Sequence, residues 1–195
     1  NIYNLILASS AALHLGLSLD HIAQGLRSVL GVPGRFERVS CAQNFSVVVD
    51  YAHTDEALRN VLRAARGFTS GRVITVFGCG GDRDIGKRKE MGRVAIEESG
   101  FSVITSDNPR TENPQCIVDD ILKGVPSSAC QGKDYEIIID RREAIRFAVE
   151  KAKPGDLVMI AGKGHEKFQV FKTGSIHFDD REIAEEAVKG VSKGD

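Results

Sequence analysis

Five short runs rich in valine and isoleucine, each followed by a stretch that suits a helix, constrain this chain more than anything else in it. They are Phe45 to Asp50, Arg72 to Cys79, Phe101 to Ser106, Tyr135 to Asp140 and Asp156 to Ala161. A strand buried on both faces has no polar side to show. Near-continuous apolar runs alternating with helices therefore predict a parallel sheet covered on both sides. Helices are expected over residues 55–66, 87–99, 113–123 and 141–151, with a last one over 180–189. Phe168 to Phe171 reads as a further, hairpin-linked strand. The expected fold class is α/β, a Rossmann-like three-layer α/β/α sandwich with a mostly parallel sheet of about six strands.

The start of the chain has a different character. Residues 4–16 and 19–30 read as two amphipathic helices joined at Gly16, with Ser18 as N-cap of the second. Leu19, Ile22, Ala23, Leu26 and Val29 share one face of that helix. Gly31-Val32-Pro33-Gly34-Arg35 is a turn-forming cluster and marks a boundary between a helical stub, 1–34, and a domain over 35–195. Asn1 stands where an initiator Met would be, and helical character begins at once. The expectation is a piece of a longer protein whose preceding part holds some of an active site.

Composition excludes several function classes. A formal net charge of −1 offers no basic stripe for nucleic acid. No apolar run approaches the roughly 20 residues of a bilayer span. Cys41, Cys79, Cys116 and Cys130 are scattered, without a C-x-x-C pair or zinc-type histidine spacing. A reduced, cytoplasmic protein with no nucleic-acid or membrane partner is expected. No signal peptide is expected.

In an open parallel sheet, ligands bind beyond the carboxyl ends of the strands, and the chain's polar motifs gather there. Asp107-Asn108-Pro109-Arg110 follows one strand; a carboxylate, an amide, a rigid proline and a guanidinium suit a small molecule bearing carboxylates and amines. A turn with a helix cap is the plain alternative. Gly78 to Gly86 follows another strand and lets backbone N–H groups approach a ligand, or simply makes a tight turn. It fits neither the P-loop nor the dinucleotide fingerprint. Within it, Arg83 lies between Asp82 and Asp84, which are expected to orient its guanidinium toward a carboxylate. Asp50 and His53 share one strand-end turn; Asp50 either faces a nucleotide or its metal, or caps the next helix. Gly162-Lys163-Gly164-His165-Glu166 offers a backbone contact and an acceptor for an ammonium, with Lys163 and His165 also readable as solvated loop residues. His14, His21 and His177 read as surface residues without a partner, and Lys87-Arg88-Lys89 as a solvated helix start.

Taken together, Val32-Pro33-Gly34-Arg35, Asp50-Tyr51-Ala52-His53-Thr54, Gly80 to Asp84 with Lys87-Arg88, Asp107-Asn108-Pro109-Arg110 and Ala161 to Glu166 resemble, in this order, the Mur ligases. The resemblance is strongest to the branch that adds the third amino acid, and it covers nearly the whole chain. It implies that 35–195 is the C-terminal domain and that 1–34 holds the closing helices and linker of a central ATPase domain. The implied activity is an ATP- and Mg2+-dependent amide ligation in peptidoglycan synthesis. ATP activates the D-glutamyl carboxylate of UDP-MurNAc-L-Ala-D-Glu as an acyl phosphate, which the amine of an incoming amino acid attacks.

By the same resemblance this domain binds meso-diaminopimelate through Arg83, Asp107, Asn108, Pro109, Arg110, Gly162 and Glu166. Asn1, Asn4, Arg35, Asp50 and His53 match positions near ATP, and the fragment holds no metal ligand and no confident catalytic residue. Alone it is expected to be inactive. Meso-diaminopimelate differs from lysine by a carboxylate beside its distal amine, and a guanidinium suits that carboxylate but not a bare ammonium. Two departures, Asp55 and Lys89 where the family has proline, put helix-start geometry in question. A related amide ligase with another acceptor (lysine, or glutamate in folate polyglutamylation) and a non-catalytic binding module are the rival readings.

Overall fold

The computed structural model describes residues 2–29, 31–40 and 43–191 of the chain; Asn1 and Cys41 lie outside them. The backbone separates into two compact units, Asn1–Val32 and Pro33–Asp195.

The first unit is a pair of helices, α1 (Ile2–His14) and α2 (Leu19–Ser28). Ser18 caps α2, its Oγ accepting from the His21 N–H at 3.3 Å. That hydroxyl also meets His21 Nδ1 at 2.7 Å, so this surface histidine does have a partner. Neither helix buries a side chain within the unit, and Tyr3, Leu7, Leu15 and Leu19 are exposed.

The second unit is the α/β sandwich. Its sheet runs β1 (Glu37–Val39), β2 (Ser46–Asp50), β6 (Leu157–Ala161), β3 (Val73–Phe77), β4 (Phe101–Ile104), β5 (Tyr135–Ile137) in spatial order. All neighbours are parallel except β1, which pairs antiparallel with β2. The sixth strand of the sheet is thus Glu37–Val39, a segment too short and too charged to announce itself. The run at Phe168–Phe171 instead forms a separate hairpin, β7 with β8 (Gly174–His177).

Side chains of each parallel strand alternate between two cores. Val47, Val49, Ile74, Val76, Val158 and Ile160 face α6 (Arg141–Lys151) and α7 (Asp180–Val191). Val48, Val73, Phe77, Ile104, Leu157 and Met159 face α3 (Asp55–Arg66), α4 (Gly86–Glu98) and α5 (Pro114–Leu122). Because both sides are covered, the period-2 pattern disappears from the sequence.

Helix starts follow local chemistry. Thr54, not Asp50, caps α3 by accepting from the Ala57 N–H at 3.2 Å, so Asp55 at the first helical position leaves the start intact. Asn113 and Asp140 cap α5 and α6 in the same way. α4 lacks a capping side chain at Ile85, but Asp84 Oδ1 accepts from the Gly86 N–H, and Lys89 sits within the helix.

Arg59, Arg63 and Arg66 of α3 converge on Glu98, whose side chain is 7% exposed, at 2.9, 3.0 and 3.2 Å. Burial by itself would raise this carboxyl. The Arg63 hydrogen bond, the charges of Arg63 and Arg66 and the Arg59 hydrogen bond outweigh it and hold the group below the ordinary carboxylate range. A carboxyl depressed on folding contributes stability above its unfolded pKa, about 4.3, and loses it as pH falls through the folded value. Glu98→Gln is therefore expected to lower stability at pH 7 yet lose less than the parent on acidification. Denaturant melts across that range check it.

Candidate functional site

Parallel pairing puts the carboxyl ends of β2, β6, β3 and β4 side by side, and the loops leaving them enclose a cavity of about 260 Å³. Its lining includes Arg83, Asp107, Asn108, Arg110, Gly162 and Glu166, with Tyr51, His53 and Lys87. Six of the seven residues expected to hold the amino acid therefore share one cavity. Pro109, the seventh, is buried outside that lining, and its carbonyl accepts from the Glu112 N–H at 3.0 Å.

The Asp107–Arg110 segment is held along its length by the β7 strand. Gln169 donates to the Asp107 carbonyl at 2.7 Å, the Val170 N–H to Asn108 Oδ1 at 3.0 Å, and the Arg110 N–H to the Val170 carbonyl at 2.9 Å. Arg110 sits in the left-handed region, φ 53°, where a side chain other than glycine, asparagine or aspartate is uncommon. Its Nη1 is fixed on the Gly81 carbonyl at 2.7 Å. Among the described residues its Nε and Nη2 carry no hydrogen bond, which leaves one edge of the guanidinium for a carboxylate.

The glycine loop is locked to this segment from the other side. The Gly81 N–H donates to the Asn108 carbonyl at 2.9 Å, and a Cβ on Gly81 would be driven into the Pro109 carbonyl. Asp82, also left-handed, accepts from the Thr111 hydroxyl at 2.6 Å. Among the described residues the Arg83 guanidinium donates to the Asp82 carbonyl, and Asp84 holds the Gly86 N–H, so neither carboxylate takes a hydrogen bond from the guanidinium. Arg83 is exposed at the cavity rim. Arg88 corrects a second expectation. It is 1% exposed and holds Glu112 at 2.7 Å and Asp120 at 3.0 Å, so only its neighbours Lys87 and Lys89 belong to a helix-start surface. Its hydrogen bonds keep the Glu112 carboxyl below the usual range, and Glu112 also accepts from the Asp82 N–H. Gly81→Ala should displace this interlock, lowering stability by about 1–3 kcal/mol, which a urea melt measures.

The β6 loop closes the cavity. Gly162, φ 115°, lies where a Cβ would strike Asp107 Oδ2, so only glycine lets the two loops meet. Lys163 is fully buried and not a solvated loop residue, whereas His165 is exposed with its ring 5.5 Å from Tyr51. Glu166 Oε2 accepts from Asn108 Nδ2 at 2.8 Å and from Lys163 at 3.2 Å.

The residues expected near ATP are more scattered. His53, whose Nδ1 meets the Tyr51 carbonyl, lies on the cavity wall; Arg35 is exposed and stacks over Tyr51, 4.9 Å from the ring centroid. Asp50 is buried and spends both oxygens on backbone, on Ala52 N–H at 2.8 Å and Phe36 N–H at 2.7 Å. It therefore pins the left-handed Phe36 turn beside Arg35. Asn4 lies on α1, in the other unit, and Asn1 falls outside the described residues. His177, read as unpartnered, pairs with Glu182 at 2.7 Å. Burial pushes the Cys79 thiol up to about 12, which makes it a packing group and not a nucleophile.

A doubly covered, mostly parallel sheet with a mixed-charge cavity at its carboxyl edge defines an α/β domain with a candidate small-molecule site. The chain belongs to the Mur ligase family: residues 34–164 match the family model of the Mur ligase glutamate ligase domain. It is 55% identical over 196 aligned residues to the UDP-N-acetylmuramoyl-L-alanyl-D-glutamate--2,6-diaminopimelate ligase of Gloeobacter violaceus, covering 100% of this chain and 39% of that protein. The ligase of the same name from Solibacter usitatus is 51% identical over 190 residues, covering 97% and 38%. A solved structure of a ligase of that name superposes with a TM-score of 0.77 at 41% identity, covering 98% of this chain and 39% of the other. The chain thus spans about two fifths of the length of these relatives.

Proposed function

We propose that this chain is the amino-acid-binding part of an ATP-dependent ligase that joins meso-diaminopimelate to UDP-MurNAc-L-Ala-D-Glu in peptidoglycan synthesis. The observation that carries the reading is the cavity itself, where Arg110 and Arg83 share the lining with Asp107 and Glu166 on loops that leave three adjacent strands, β6, β3 and β4. Such a pattern complements a zwitterion with carboxylate and ammonium on one carbon. The names of the relatives support the same substrate. Arg110 takes the distal carboxylate on its open edge, and Glu166 or Asp107 takes the distal ammonium.

The helical unit is the end of a preceding nucleotide-binding domain, whose surface would cover Tyr3, Leu7, Leu15 and Leu19. ATP meets this chain at Arg35 and His53, which flank Tyr51 as a guanidinium and an imidazole; Asp50 serves the same edge only by holding its turn. Among the described residues no group of three His, Cys, Asp or Glu could hold a metal ion. Likewise no helix of the described residues is long and apolar enough to cross a membrane. The chemistry left to this chain is positioning of the attacking amine. Calorimetric titration of the chain tests the reading. Meso-diaminopimelate should bind and lysine should not; equal heats from both would overturn it.

A further inference from the structure

Lys163 has no place in the substrate contacts described so far, yet it is 0% exposed and fully engaged. Its ammonium donates to Asn108 Oδ1 at 3.0 Å, to Glu166 Oε2 at 3.2 Å and to the Phe168 carbonyl at 2.6 Å. All three of its N–H bonds are therefore used. The consequence falls on Asn108. Its Oδ1 receives both Lys163 and the Val170 N–H, so the amide has only one possible sense. A flipped amide would set its NH2 against two donors, one of them charged. With the oxygen held inward, Nδ2 is directed at Glu166 Oε2.

Glu166 is fixed by the same ammonium. Its Oε2 takes Lys163 and Asn108 together, while among the described residues Oε1 carries no hydrogen bond. Lys163 also cancels one negative charge on the cavity wall, leaving Asp107 to balance the guanidinium side.

We propose that Lys163 is a positioning residue for amino-acid recognition, locking the Asn108 amide and the Glu166 carboxylate in the sense that a zwitterionic substrate requires. It touches no substrate; it acts through the two side chains that do. This rests on the proposed reading of the cavity, and the test separates the two. In the full-length ligase carrying this chain, KM for meso-diaminopimelate and for ATP is measured for K163M, for N108A/E166Q and for their combination. K163M should raise the meso-diaminopimelate KM about tenfold or more and leave the ATP KM within about twofold. In the N108A/E166Q background it should add less than about threefold, because the groups it acts through are gone.

A lowered melting temperature with an unchanged meso-diaminopimelate KM would overturn the inference, as would effects that simply multiply. If N108A/E166Q itself leaves that KM unchanged, the substrate reading of the cavity fails whatever K163M does. Should K163M not fold, K163Q, neutral but still able to donate, enters the same cycle with the same expected pattern and the same overturning results.

Discussion

Arg110→Ala in the full-length ligase is expected to raise the KM for meso-diaminopimelate far more than the KM for ATP. The guanidinium is half-buried, fixed through Nη1 on the Gly81 carbonyl, and presented by a backbone in the left-handed region. Removing one partner of a buried, hydrogen-bonded charge pair costs about 2–5 kcal/mol, or about 30- to 4,000-fold in affinity. Part of that loss is the bare substrate carboxylate left in the cavity. Arg110→Lys should recover little, since an ammonium is a point charge that cannot reproduce the two-bond edge. Steady-state kinetics with each substrate varied in turn makes the comparison. Equal losses for both substrates would remove Arg110 from amino-acid recognition.

Asp180→Ala is expected to be the most destabilising single change in the sandwich. Arg141, at the start of α6, and Asp180, at the start of α7, are both 0% exposed in their side chains and form a two-bonded pair at 2.7 and 2.8 Å. The same guanidinium donates to the carbonyl of Ala161, the last residue of β6, at 3.0 Å. The pair therefore joins both helices of one layer to the strand whose end enters the cavity. Deleting the carboxylate leaves a guanidinium buried and uncompensated, a loss of about 3–5 kcal/mol. Against a usual domain stability of about 5–15 kcal/mol, that is a large share. A urea melt should show a lowered midpoint with an unchanged slope. The double change R141M/D180L, which removes both charges, should lose much less. A loss under about 1 kcal/mol for Asp180→Ala would mean that water reaches the pair.

What was legible in the sequence follows from how local its cause was. The β2, β3, β4 and β6 runs are apolar on both faces, and α3, α5 and α6 each carry their own capping residue, so the layered sandwich could be read within short windows. The cavity was legible for a topological reason. Parallel strands put their carboxyl ends on one edge, so Asp107, Gly162 and Glu166 had to be neighbours. What could not be read were partnerships between distant residues. Arg88 looked like a solvated helix start until Glu112 and Asp120 closed over it, and nothing near Arg141 in the sequence points to Asp180. Lys163 could be told from a surface lysine only by Asn108, Glu166 and Phe168 arriving together. Asp50 stayed open between a nucleotide contact and a helix cap because one of its partners, the Phe36 N–H, precedes it by 14 residues. β1 was missed for want of an apolar run, although Val39 is buried.

The central claim is that one cavity reads the distal end of meso-diaminopimelate, with Arg110 on its carboxylate and an acidic group on its ammonium. The most direct measurement is a crystal structure of this chain with meso-diaminopimelate bound. The account predicts the distal carboxylate on the Nε–Nη2 edge of Arg110, with the distal ammonium within hydrogen-bond reach of Glu166 or Asp107. Density for the amino acid elsewhere on the chain, or in the cavity with no carboxylate on Arg110, would contradict it.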